Sequence, residues 1–178
     1  CALAFGREID APWYIAMYPH ILGCSTFLSA FLKIFGEHVM VAAVINVILT
    51  CLSGLLIYGI CLRLASPLTA ALAYLLWIVC PSKLMLDPLV FSEPLYTCLI
   101  LLFFYLIVLI EQRRGSLPRR LGVCLLWGLA LGVLLRAVNI VRPISAILVI
   151  ALVLWLVFLR GRDIKNGAQW KKGHVILV

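Results

Sequence analysis

Long apolar runs separated by short charged turns, with basic residues concentrated in alternate turns, predict an all-α fold: a polytopic integral membrane helix bundle. About five spans are visible, together with an interfacial helix in an outer loop. With 65% hydrophobic and only 12% charged residues, the chain carries far more apolar surface than a soluble core can bury. The net charge of +8 does not mark a nucleic-acid binder. That would require a basic face or stripe, and here the basic residues cluster between apolar runs, so membrane lipids are expected partners and nucleic acid is not. The seven cysteines are scattered without a C-x-x-C pair, so neither a zinc site nor a disulfide framework is indicated.

Residues 1–38 read as an outer loop. Arg7, Glu8 and Asp10 lead into Tyr18-Pro19-His20-Ile21-Leu22-Gly23, which is too polar to span. Apolar residues then recur at helical spacing from Ser25 to Phe35, and Lys33 and Gly36 end the pattern. This predicts a short helix lying along the membrane interface.

Met40–Leu62 is the first span, and Ser66-Pro67 forces a tight turn after it. Leu68–Cys80 reaches roughly two thirds of the ~20 residues that a crossing needs, yet it has to return the chain between two longer neighbours. Leu89–Ile110 is the third span. Ser92 suits its N-cap, and Glu93 and Pro94 suit a first turn, where an acid meets the positive end of the helix dipole and a missing N–H costs nothing. Leu121–Leu135 and Ile144–Leu159 are the fourth and fifth spans, with Arg136 to Pro143 read as the turn between them.

Arg113, Arg114, Arg119 and Arg120 occupy one loop. Together with Arg63 and the Arg160–Lys172 tail, they place most of the 15 Lys and Arg residues on one side after five alternating crossings. The positive-inside rule makes that side cytoplasmic. Asp10, Lys83, Glu93, Arg136 and Arg142 then collect on the opposite side, among the prolines. Charges at span ends and backbone breaks are expensive unless they face protein or water, so these residues are the candidates for function.

The chain opens on Cys1 and closes on Gly173–Val178, which reads as the start of another apolar run. We therefore expect residues 1–178 to be a single transmembrane domain truncated at both ends, with 1–38 as the outer loop and 39–178 as spans and loops.

No Gly-rich phosphate loop, H-E-x-x-H or nucleophile elbow is present. Three segments carry a family resemblance instead. Tyr18–Gly23 followed by Phe27–Gly36 resembles the outer loop of the GT-C superfamily of polytopic glycosyltransferases. Ser92-Glu93-Pro94-Leu95-Tyr96-Thr97 resembles the segment that opens one of their membrane helices, and Val141-Arg142-Pro143 resembles the Arg-Pro pair before a later helix. More narrowly, the chain is similar to the bacterial family related to protein mannosyltransferases and to the lipid A aminoarabinose transferase.

The resemblance implies a glycosyltransferase that moves a sugar from a polyprenyl-phosphate donor to a lipid, glycan or protein acceptor at the outer face of a bacterial plasma membrane. It also implies an Asp base early in the first outer loop. Two placements stay open: Asp10, whose spacing to Tyr18 is short, or an Asp upstream of Cys1. Asp10 and Glu93 are thus the candidate catalytic carboxylates, because a general base must take the acceptor's hydroxyl proton. Tyr18, His20, Lys83, Arg136 and Arg142 are the candidate substrate-binding residues, the cations because they can hold the departing phosphate. No cofactor and no metal ligand set is called for, and a divalent-metal requirement stays open. The alternative is a non-catalytic transporter or flippase-like protein that binds a solute on its outer side. Such folds favour paired broken helices near the midplane, whereas here the breaks fall at span ends.

Overall fold

The computed structural model describes residues 17, 21–81, 92–113, 121–143 and 145–165. These residues form six helices and no strand: α1 (Ile21–Phe35), α2 (Val39–Leu64), α3 (Pro67–Val79), α4 (Glu93–Arg113), α5 (Leu121–Val141) and α6 (Ser145–Lys165). Two of them, α2 and α4, are long and apolar enough to cross a membrane, and the apolar parts of the others are shorter. α3 has 13 residues, about 20 Å of helix against a hydrocarbon layer of about 30 Å, and is the short return segment expected from the sequence.

The helix ends follow from local chemistry. α1 stops at Phe35 because Gly36 adopts a left-handed φ of 90°, the only positive φ among the described residues. Ser66 caps α3, its Oγ accepting from the Thr69 N–H at 3.3 Å, and Pro67 opens the helix where no N–H is needed. Two boundaries differ from expectation. α5 does not end at Leu135 but continues to Val141, so Arg136 lies in a helix rather than in a turn. α6 continues past Leu159 to Lys165 and so carries Arg160 and Arg162 as helical residues.

Packing alternates in direction. α3 runs antiparallel to α2: Trp77 donates its indole N–H to the Thr50 carbonyl at 3.0 Å, and Tyr74 meets Tyr58 one turn further along. Gly54 leaves room for this, since a Cβ there would lie 3.0 Å from both Trp77 and Tyr74. α2 and α4 run parallel and are joined at their C-terminal ends. Arg63 Nη1 donates to Gln112 Oε1 at 2.8 Å, Gln112 Nε2 donates back to the Arg63 carbonyl at 3.0 Å, and the guanidinium lies 5.3 Å from the Tyr105 ring centroid. α5 then returns antiparallel to α4.

Two apolar clusters result. Leu28, Ala42, Ile45, Leu49, Leu95 and Val141 join α1, α2, α4 and α5, while Phe103, Ile107, Val138 and Leu148 join α4, α5 and α6. The buried positions of α2 form one stripe that includes Asn46 and Ser53, and the Ser53 hydroxyl donates to the Leu49 carbonyl at 2.8 Å. Large apolar side chains such as Val44, Leu55, Leu76, Leu129, Ile150 and Phe158 are exposed around the outside. A water-soluble protein rarely tolerates such a belt, but in lipid it is the ordinary solvent-facing surface. Because lipid tails are as apolar as these side chains, close packing and interhelical hydrogen bonds hold the bundle rather than water exclusion.

Candidate functional site

The site assembles where α1 begins, α4 begins and α5 ends. At the start of α4 the Ser92 carbonyl accepts the first helical bond, from the Tyr96 N–H at 3.0 Å, so Glu93 and Pro94 occupy the first turn as their chemistry favours. At the end of α5 the Arg142 N–H still bonds the Val138 carbonyl at 2.8 Å, and Pro143 has no N–H to extend the helix. Antiparallel packing of α4 on α5 brings these two ends together although they are 49 residues apart in sequence.

Arg142 Nη2 donates to Glu93 Oε1 as an ion pair, and the guanidinium carbon lies 5.2 Å from the centroid of the Tyr96 ring. Glu93 and Tyr96 are three residues apart and so share one face of α4. The side chains of Arg142 and Glu93 are 34% and 50% exposed. A pair this open contributes at most about 1 kcal/mol in water, and a cation–π contact at an open site about as much. The arrangement therefore matters more for where it holds the guanidinium than for stability.

α1 closes the third side. Gly23 packs directly on the backbone of Ile140, where a Cβ would fall 2.2 Å from the carbonyl oxygen. This close approach fixes the α1 start beside the last turn of α5, two residues before Arg142. Cys24 follows, near enough to Glu93 to sense its charge. Burial first, and the Glu93 carboxylate second, push the Cys24 thiol above its ordinary pKa, since both disfavour the thiolate. Cys24 should accordingly alkylate slowly at neutral pH, with a rate that climbs at higher pH than for an exposed thiol. Glu93→Gln should move that rise to lower pH without abolishing the shift, because burial remains, and maleimide labelling rates across pH would measure it.

Of the residues singled out from sequence, the structure brings together Glu93 and Arg142. Arg136 is not joined to them by any ion pair or hydrogen bond among the described residues. Lying six residues earlier on the same helix, it sits about 9 Å back along the axis and about 120° round, and its side chain is exposed. Asp10, Tyr18, His20 and Lys83 lie outside the described residues, as does the arginine loop from 114 to 120. No group of three His, Cys, Asp or Glu side chains that could hold a metal occurs among the described residues. Sequence reasoning missed the roles of Tyr96, Gly23 and Cys24. For Tyr96 a signal was available, its spacing of three from Glu93; for the other two, partner helices had to be known first.

What this corner can do chemically is hold a guanidinium, oriented by a carboxylate and an aromatic face, at the end of a bundle with an apolar outer surface. That suits an anion carried on a lipid. A family model described as dolichyl-phosphate-mannose-protein mannosyltransferase matches residues 20–178. No curated protein and no solved structure was found to match.

Proposed function

Because the chain belongs to the dolichyl-phosphate-mannose-protein mannosyltransferase family, and so to the membrane glycosyltransferases, we propose that its donor is a polyprenyl-phosphate sugar. In this reading the acceptor, a lipid, glycan or protein, is served at the outer face of a bacterial plasma membrane. The acceptor oxygen forms a new bond to the anomeric carbon, the bond from that carbon to the phosphate oxygen breaks, and polyprenyl phosphate leaves with the bonding electrons. A carboxylate takes the acceptor's proton; Asp10 is the proposed base within this chain. Arg142 contacts the phosphate as negative charge builds on it, a contribution that grows in a water-poor setting. Lys83, Arg136, Tyr18 and His20 are proposed as further substrate contacts, and no cofactor is proposed.

The observation that carries this reading is the Arg142 guanidinium, held by Glu93 and Tyr96 at the opposite end of the bundle from Arg63. The positive-inside distribution supports an outward orientation for the Arg142 end.

The test uses membrane vesicles of known sidedness that contain the protein, supplied with a radiolabelled polyprenyl-phosphate sugar and an extract of acceptors. Transfer is expected in vesicles that expose the Arg142 end, and little in those that enclose it. Solute uptake that depends on Arg142, without any sugar transfer, would replace the enzyme by a transporter.

A further inference from the structure

We propose that Glu93 and Tyr96 are positioning residues: they fix the plane of the Arg142 guanidinium so that its remaining N–H edge receives the phosphate of the polyprenyl carrier. This rests on the glycosyltransferase reading above and assigns Glu93 a task other than proton abstraction.

The geometry points there in three ways. First, Arg142 has its backbone set by its N–H bond to Val138 and by Pro143, while its long side chain has to be held by something else. Second, the two holding contacts are independent. The carboxylate grips Nη2 at the rim of the guanidinium, and the Tyr96 ring lies against it at 5.2 Å from its carbon. One contact anchors an edge and the other supports the group from the ring side, so together they restrict the tilt that either alone would allow.

Third, these contacts engage only part of the group. The N–H groups on Nε and Nη1 have no hydrogen-bond partner among the described residues. A guanidinium presents its donors as two rigid forks that share Nη2, one with Nε and one with Nη1, and either matches phosphate oxygens; Glu93 takes one Nη2 N–H, so the fork that uses the other is suited to that anion. The Glu93 oxygen that faces Arg142 is correspondingly engaged as an acceptor. A carboxylate used in this way acts on the donor through the arginine.

The experiment uses the protein reconstituted in vesicles and measures donor KM, kcat and the equilibrium binding of polyprenyl phosphate without a sugar. Glu93→Gln and Tyr96→Leu are each expected to weaken polyprenyl-phosphate binding and to lower kcat/KM for the donor about tenfold, the scale of a hydrogen bond to a charged group, with donor KM rising. Tyr96→Phe, which keeps the ring, should lose less than Tyr96→Leu. Adding Glu93→Gln to Arg142→Ala should cost almost nothing further, because a residue that works only through Arg142 has no work left once the arginine is gone.

A Glu93→Gln enzyme whose kcat collapses while donor KM and polyprenyl-phosphate binding stay unchanged would overturn the assignment and make Glu93 the base. Full additivity with Arg142→Ala would overturn it too. Wild-type protein that binds no polyprenyl phosphate would overturn the donor reading itself, a failure distinct from the other two because it precedes any substitution.

Discussion

Arg142→Ala should lower sugar transfer by about a hundredfold or more, the loss of roughly 2.7–4 kcal/mol that follows removal of one preorganised donor aimed at developing charge. Membrane insertion and thermal stability should change little, because the ion pair it breaks is half exposed and worth at most about 1 kcal/mol to the fold. Arg142→Lys should recover only part of the activity: an ammonium keeps the charge but has neither the planar fork nor the flat face that lies against Tyr96. Initial rates with purified protein in vesicles, alongside melting curves, separate the two effects. A variant that melts like the wild type and transfers like the wild type would remove Arg142 from the site.

Gly23→Ala should be the most damaging small substitution among the described helices. Replacing glycine by alanine inside a helix ordinarily stabilises by about 1 kcal/mol. Here the new Cβ would lie 2.2 Å from the Ile140 oxygen and 2.6 Å from its carbonyl carbon, and both are backbone atoms that cannot swing away. Reaching an ordinary carbon–oxygen separation requires α1 and α5 to move apart by about an ångström. Overpacking of this kind costs about 1–3 kcal/mol, enough to outweigh the helix gain. The displaced element carries Arg142 two residues on, and a misplacement of about 1 Å can cost a hundredfold in rate. Gly132→Ala is the control: nothing lies within 4 Å of its Cβ position, so only the helix gain remains. Melting temperature and transfer rate should both fall for the first variant, whereas the second should melt no lower than the wild type.

The helical class and the order of the elements were legible because each depends on short-range rules. Apolar run length set α2 and α4, Ser66-Pro67 set the start of α3, Gly36 set the end of α1, and Ser92-Glu93-Pro94 set the start of α4. The turn expected from Arg136 to Pro143 failed for a physical reason. Polar side chains do not stop a helix whose backbone bonds are made, and a long arginine can reach outward from it, so α5 ran on until Pro143 removed the next N–H. The candidate site was half legible. Glu93 and Arg142 each stood out as a charge beside a proline at a span end, but their pairing across 49 residues depends on how α4 meets α5. Gly23 carries no mark of its own; its role exists only because a neighbouring backbone passes within reach.

The joint between Arg63, Tyr105 and Gln112 bears on the opposite end of the protein. A helix is stiff along its length, so the 20 residues from Glu93 to Gln112 act as a rod of about 28 Å. Clamping one end of that rod to α2 sets the height of the other end: α4 cannot slide by one turn without breaking both hydrogen bonds between Arg63 and Gln112. The depth at which Glu93 and Tyr96 meet Arg142 is thus gauged from the other end of α4, by the hold that Arg63 and Gln112 have on each other.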